Sequence, residues 1–301
     1  MAIGIDPTVD YAFKLLLGSP EHPAITLHFL NAILGNEIHI TDVEIINPIL
    51  GKADDLDKLS ILDVAARDST GRRYDIEMQT SLPAGLSQRL AYYTASMYVA
   101  QIGEGDDYTL LRPSISICVL DATMFSDSPE IHSDFRLRSH DGNLDLTDGL
   151  QIHLLELPKY TIPSDNRVIT DPVEAWMYFF RRADEMTAQE IQQRFNSPAF
   201  TEAAEVLDMI QRTPQQRDQY ELRLKAQRDD RARLQQAREE GEARGEARGE
   251  ARGKAEGKII GQIETLASLL KVQVEALDNL SVDELTSIAN DLQRQLRDRP
   301  V

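Results

Sequence analysis

The sequence predicts an α/β domain followed by a charged helical tail, and three observations carry that prediction. Strand-like runs flank a Gly-containing turn within residues 59–79. Helix start signals precede residues 11–17, and an apolar stripe at helical spacing runs through 86–102. A Gly-Glu-Ala-Arg unit recurs from Gly241 onward. At 301 residues the chain has room for one large domain or two smaller ones, and a hydrophobic content of 42% is enough for a core once the polar tail is set aside.

Asp6, Pro7 and Asp10 are start signals for a helix over residues 11–17, which Gly18 closes. Asp10 and Lys14 stand four apart and can pair on its surface. A second helix spans 25–34 and ends at Gly35. Residues 41–48 alternate as a first strand that Pro48 closes. The polar stretch 51–58 is a loop, and its acids lack the spacing and final Glu of a calcium loop, which excludes that reading.

The next segment predicts a β-hairpin. If Ser69, Thr70 and Gly71 form a three-residue loop with Gly71 left-handed, Asp68 pairs with Arg72. Opposed residue numbers then sum to 140, which sets Asp63 directly across from Glu77. Opposed side chains have Cβ atoms roughly 4.5–5.5 Å apart, where like charges destabilise. A divalent cation reverses that cost. Alternation also puts Glu77 and Gln79 on one face, with Ile76 and Met78 on the other. Such a set of oxygen ligands suits a hard cation such as Mg²⁺. Two acids on a solvated strand face are the ordinary alternative, but Asp63 sits in a mostly apolar run, where an acid without a partner is uncommon.

Pro83 breaks the chain before a helix over 86–102, with Leu86, Leu90, Tyr93 and Met97 on one stripe and Arg89, Tyr92 and Ser96 beside it. Arg89 either reaches toward a phosphate near the hairpin or lies along the surface, paired with Asp75 or another surface acid. Residues 115–120 read as a buried strand holding Cys118, the only cysteine, in the role of a small hydrophobe. Further strands span 135–140 and 151–157, with a turn at 141–143. His132, His140 and His153 lack metal-binding spacing, and no Gly-x-Ser-x-Gly elbow is present to support a serine nucleophile. Asp171 and Pro172 open a helix whose Trp176, the sole tryptophan, anchors it on the core.

The tail begins with helices over 201–210 and 215–240. In the repeat, Glu242, Glu246 and Glu250 form one stripe, and Arg244, Arg248 and Arg252 lie about 200° around from it. No Glu–Arg pair within the repeat falls at i,i+3 or i,i+4, and each Gly costs about 1 kcal/mol relative to Ala. Either a second copy meets these stripes, giving a homo-oligomer, or the segment is a flexible linker. Residues 259–270 and 282–296 read as two short amphipathic helices able to pair as a hairpin. With 4 basic and 7 acidic groups over 259–301, they lack a DNA-reading face.

Lys plus Arg total 32 and Asp plus Glu total 50, for a net charge of −18. Residues 1–211 hold 15 basic and 33 acidic side chains, so the whole deficit lies there. Nucleic-acid binders usually present basic surface, so any DNA binding is expected to be weak and salt-sensitive, or dependent on oligomerisation. Near the hairpin, Arg67, Arg72, Arg73 and Arg89 offset Asp63, Asp68, Asp75 and Glu77. No apolar run approaches the roughly 20 residues that cross a bilayer, and no secretory signal is visible. A cytoplasmic location without a membrane partner is the expectation.

The segment Asp63-Val-Ala-Ala-Arg-Asp-Ser-Thr-Gly-Arg-Arg-Tyr-Asp-Ile-Glu-Met-Gln79 resembles the hallmark of the recombination-promoting nuclease (Rpn) and putative-transposase group within the PD-(D/E)XK nucleases. The likeness extends to residues 10–18, 28–34, 89–93, 108–119 and 155–159, and so covers roughly the first 195 residues. It implies a mixed central sheet flanked by helices over 1–195, and the tail read above follows as a charged helical segment over 196–258 and a helical hairpin over 259–301. It also implies a Mg²⁺-dependent DNA endonuclease, with Mn²⁺ as an alternative ion, linked to recombination or mobile elements. Asp63, Glu77 and Gln79 would be catalytic. Asp63, Glu77 and the Met78 backbone carbonyl would hold the metal, and Asp10 and Arg89 would be accessory or substrate-contacting residues. Gln79 stands where the wider superfamily usually has Lys, and an amide brings no positive charge, so modest turnover is expected. The reading from a different class is a non-catalytic interaction protein that keeps the fold and assembles through its tail.

Overall fold

The computed structural model describes residues 2–35, 38–46, 49–50, 60–61, 63–274, 277 and 280–298. Pro48 and the 51–58 loop lie outside the described residues. The chain divides into two compact units, Met1–Arg231 and Ala232–Val301. Among the described residues, no helix is long and apolar enough to cross a membrane.

The larger unit opens with helices α1 (Asp10–Gly18) and α2 (Pro23–Leu34). Strands β1 (Val43–Ile46), β2 (Ile49–Leu50), β3 (Ser60–Ile61), β4 (Val64–Asp68) and β5 (Arg73–Gln79) follow. Then come α3 (Leu86–Val99), β6 (Ser114–Leu120), β7 (His132–Arg138) and β8 (Asp145–Glu156). Helices α4 (Pro172–Arg182), α5 (Ala188–Arg194) and α6 (Pro198–Arg212) complete the order before α7 (Pro214–Leu270). Six strands form one mixed sheet in the order β1-β4-β5-β6-β8-β7, and β2 pairs with β3 separately. The pairs β5/β6 and β6/β8 are parallel, and the others in the large sheet are antiparallel. The parallel pairing of β5 and β6 needs a crossover, and α3 supplies it. Central β6 is buried along its whole length, as expected of a strand covered on both faces.

The β4–β5 hairpin has the expected register. Val64 opposes Ile76, Ala65 opposes Asp75 and Arg67 opposes Arg73, each pair summing to 140. Gly71 has φ +88°, and the Asp68 and Arg72 backbones close the loop (3.1 Å). The Asp68 carboxylate ties the turn together. It accepts from Thr70 N–H (2.9 Å), Thr70 Oγ1 (2.7 Å), Arg72 N–H (3.0 Å) and Tyr74 OH (2.7 Å). Burial works to raise the Asp68 pKa, but these donors outweigh it and hold the carboxyl below its usual range.

One face of the sheet buries Val64, Ala66, Tyr74, Ile76, Ile115, Ile117 and Leu155 against α1, α2, α4 and α6. Trp176 of α4 sits fully buried there. Its ring centroid lies 4.7 Å from Phe200 and 5.3 Å from Phe29, and its indole N–H donates to His28 Nδ1 (3.1 Å). The opposite face receives α3, with Leu86 and Leu90 on Cys118, Leu120 and Leu154, and Met97 on Ala65. The compact unit continues past residue 195, because Phe200, Ala203, Val206, Leu207 and Ile210 of α6 and Tyr220 of α7 bury in the same core.

In the smaller unit, Ile263 and Ala267 of α7 pack with Leu285 and Leu292 of α8 (Val282–Arg297), whose start carries a Ser281–Glu284 capping box. The repeat itself is helical. The expectation that it has no ion-pair support holds only inside the repeat, because its borders supply partners four residues away. Arg238 meets Glu242 (2.8 Å), Arg244 meets Glu240 (3.0 Å) and Arg252 meets Glu256 (2.7 Å).

The aromatic cluster makes a stability prediction. Trp176→Ala should destabilise the larger unit by about 3–5 kcal/mol, because an interior this closely packed collapses only partly around a lost indole. Denaturant unfolding of the variant checks this, and a loss below about 1 kcal/mol would contradict the assigned packing.

Candidate active site

The site is built at the open end of the hairpin, away from the Gly71 turn. Asp63 occupies a bend immediately before β4, one residue short of the paired register. Its Oδ2 accepts from the Met78 N–H at 3.3 Å, which holds the carboxylate against β5. An extended residue projects its N–H and C=O to the same side. The Met78 carbonyl therefore faces the side on which Asp63 lies, although the contact formed is through the N–H.

Glu77 and Asp75 share the α3 face of β5, and Glu77 is 3% exposed. Its Oε2 meets Arg89 Nη2 of α3 at 3.4 Å and Gln79 Nε2 at 3.5 Å, both long contacts. Arg89 thus pairs with buried Glu77, and not with Asp75 or an acid on the surface. Its Nε is buried without a hydrogen-bond partner, and its guanidinium lies 6.0 Å from the Tyr93 ring centroid.

Two residues enter the site that sequence reasoning passed over. Lys14 of α1 bridges two acids, 2.8 Å from Asp10 and 3.2 Å from Asp63, because α1 packs on β4 and β5. Asp10 therefore joins the site through Lys14. Asp75 is fully buried. Its Oδ2 accepts from Ser116 Oγ (3.0 Å), itself 2.9 Å from Thr94 Oγ1, while its Oδ1 has no hydrogen-bond partner. The signal for Asp75 was available, since the alternation that pairs Glu77 with Gln79 also includes residue 75.

Electrostatics follow from this burial. Desolvation, then the Asp63 charge, push the Glu77 carboxyl up to about 7 against the pull of Arg89. Burial also raises Asp63, with Lys14 only partly offsetting it. Asp75 is driven well above the carboxylate range by burial and by the Glu77 charge beside it. For Lys14, burial pulls downward, but Asp63 and Asp10 outweigh it and raise the ammonium. Crowded acids with incomplete compensation are what a bound divalent cation would relieve. Asp63, Glu77 and the Met78 carbonyl are hard oxygen donors of the kind Mg²⁺ takes, so the residues fit such an ion. Among the described residues, no cluster of three or more His, Cys, Asp or Glu side chains is arranged to hold a metal. Any ion here would rest on two carboxylates plus backbone oxygen and water.

Glu77 links the site to folding. Its pKa is raised from 4.5 to about 7, so its contribution to stability is complete below about pH 4.5 and is lost as pH rises through about 7. Glu77→Gln should flatten the metal-free stability loss between about pH 5 and pH 8 by up to roughly 3 kcal/mol. Denaturant unfolding at both pH values measures this, and an unchanged slope would contradict the burial of Glu77.

Neither a curated protein nor a solved structure matches the chain. A family model described as PD-(D/E)XK nuclease family transposase matches residues 7–237. That span takes in the hairpin, its acids, α1 with Lys14 and the start of α7, and on it the chain belongs to the PD-(D/E)XK nuclease family transposases.

Proposed function

We propose that the protein is a metal-dependent endonuclease that hydrolyses DNA phosphodiesters, with Mg²⁺ as the working ion and Mn²⁺ as a substitute, acting in recombination or on mobile elements. The observation that carries this reading is the hairpin end itself. There the Asp63 carboxylate is pinned to β5 beside Glu77, and the charge of one acid raises the pKa of the other.

Asp63, Glu77 and the Met78 carbonyl would hold the ion. When bound, it would polarise the phosphate and lower the pKa of an attacking water. The Gln79 amide can orient that water through its oxygen or its NH₂, but it carries no charge. Lys14 stands 3.2 Å from Asp63 on a different element and would supply the missing cation for negative charge developing on the phosphate. Arg89 holds Glu77 in place from α3.

Plasmid cleavage with Mg²⁺, with Mn²⁺ and with EDTA tests the proposal. Nicking should require a divalent ion, and Asp63→Ala and Glu77→Ala should each abolish it. Cleavage that survives both substitutions would exclude the assignment. Lys14→Met should slow cleavage by about 10²-fold, the scale of losing one preorganised charge donor, and Gln79→Lys in that background should restore part of the rate. A Lys14→Met variant as fast as wild type would remove Lys14 from the chemistry.

A further inference from the structure

The first turns of α7 run beside the candidate site, and their inward face changes character along its length. Tyr220 is buried, its hydroxyl accepting from the Asp6 N–H (3.0 Å), and Leu224 packs on the main core. Between and beyond them the helix presents a polar, largely exposed face. Arg223, Gln227, Asp230 and Arg231 line a cavity of about 260 Å³ together with Asp10 and Gln79. Arg223 and Arg231 are exposed along this face, so the cleft is open to a ligand from solvent.

The charge pattern indicates which ligand. Residues 1–211 carry 15 basic and 33 acidic side chains, whereas 212–231 carry six basic and four acidic, so this segment reverses the overall sign of what precedes it. Neither acid in the lining is unpartnered, and Asp10 is held by Lys14 at 2.8 Å. The helix is also tied to the site strand. Arg231 meets Asp121 Oδ2 at 2.6 Å, and the Asp121 N–H donates to the Gln79 carbonyl at 2.8 Å. Arginine guanidinium is the side chain best matched to phosphate oxygens, and here it lies across a small cavity from Gln79.

We propose that this cleft between α1, the end of β5 and the first turns of α7 is a backbone-phosphate site. It would take a phosphodiester of the bound nucleic-acid strand adjacent to the one cleaved, with Arg223 as its principal ligand and Gln227 beside it. The proposal rests on the nuclease reading for its choice of ligand, and it adds the start of α7 to the substrate-binding surface.

Binding of a short labelled DNA duplex to the full-length protein in EDTA tests the site without cleavage. Arg223→Ala should weaken binding about tenfold, and Arg223→Glu and Gln227→Glu should weaken it more. The slope of log affinity against log salt should fall by about 0.7–0.9 on loss of one phosphate contact. Lys225→Ala removes the same charge from an exposed position of the same helix outside the cleft, and should stay within about twofold of wild type. Circular dichroism and melting of each variant confirm the fold, and because Arg223 is exposed its loss should leave both unchanged. Wild-type affinity in all three cleft variants, an equal loss in Lys225→Ala, or no binding by the wild-type protein would overturn the proposal. Arg223-dependent binding without cleavage in Mg²⁺ or Mn²⁺ would uphold the cleft and reject the nuclease reading. Normal cleavage by Arg223→Glu would do the reverse.

Discussion

The register of one hairpin governs the chemistry of the larger unit. Gly71 takes a left-handed conformation, and the Asp68 carboxylate gathers the Thr70, Arg72 and Tyr74 donors around it, so only one pairing of β4 with β5 closes the turn. A slip of one residue would exchange the faces of β5, moving Asp75 and Glu77 to the apolar side and Tyr74, Ile76 and Met78 to the polar one. The core on one face and the acids on the other therefore depend on the same local knot. It lies at the opposite end of the hairpin from Asp63, which leaves the site end open for chemistry.

The acids at that open end exist in tension. Burial raises Asp63, Asp75 and Glu77 together, and the cations nearby are shared: Lys14 between Asp10 and Asp63, Arg89 with Glu77 through a single long contact. In a purely structural cluster, each buried carboxylate would be expected to have close, complete partners. Here Asp75 Oδ1 and Arg89 Nε are buried without hydrogen bonds. Incomplete satisfaction on either side of Glu77 suits a site that takes its last partner from outside the chain.

What could be read from the sequence was what local rules decide. Turn chemistry fixed the hairpin register, alternation put Glu77 and Gln79 on one face, an apolar stripe located α3, and start or stop signals located α1, α2 and α4. Contacts that depend on docking were out of reach. Lys14 looks like a surface partner of Asp10 until α1 is set on β4 and β5, where it also meets Asp63. Asp75 looks exposed until β6 and α3 bring Ser116 and Thr94 over it. His132 and His153 show no metal spacing in sequence, yet pairing of β7 with β8 sets their rings 3.0 Å apart, nitrogen to nitrogen. The helix at 201–210 was legible, but not its place in the main core, because a local helix reading does not name what the helix packs against.

Metal-dependent chemistry at the hairpin end requires Asp63 and Glu77 to act jointly on one cation. Calorimetric titration of the metal-free protein with Mn²⁺ measures that without reference to any substrate. One ion per chain should bind the wild-type protein, and both Asp63→Asn and Glu77→Gln should lose that binding. Equal Mn²⁺ affinity in the wild-type protein and the two variants, or none in the wild-type protein, would contradict the shared site.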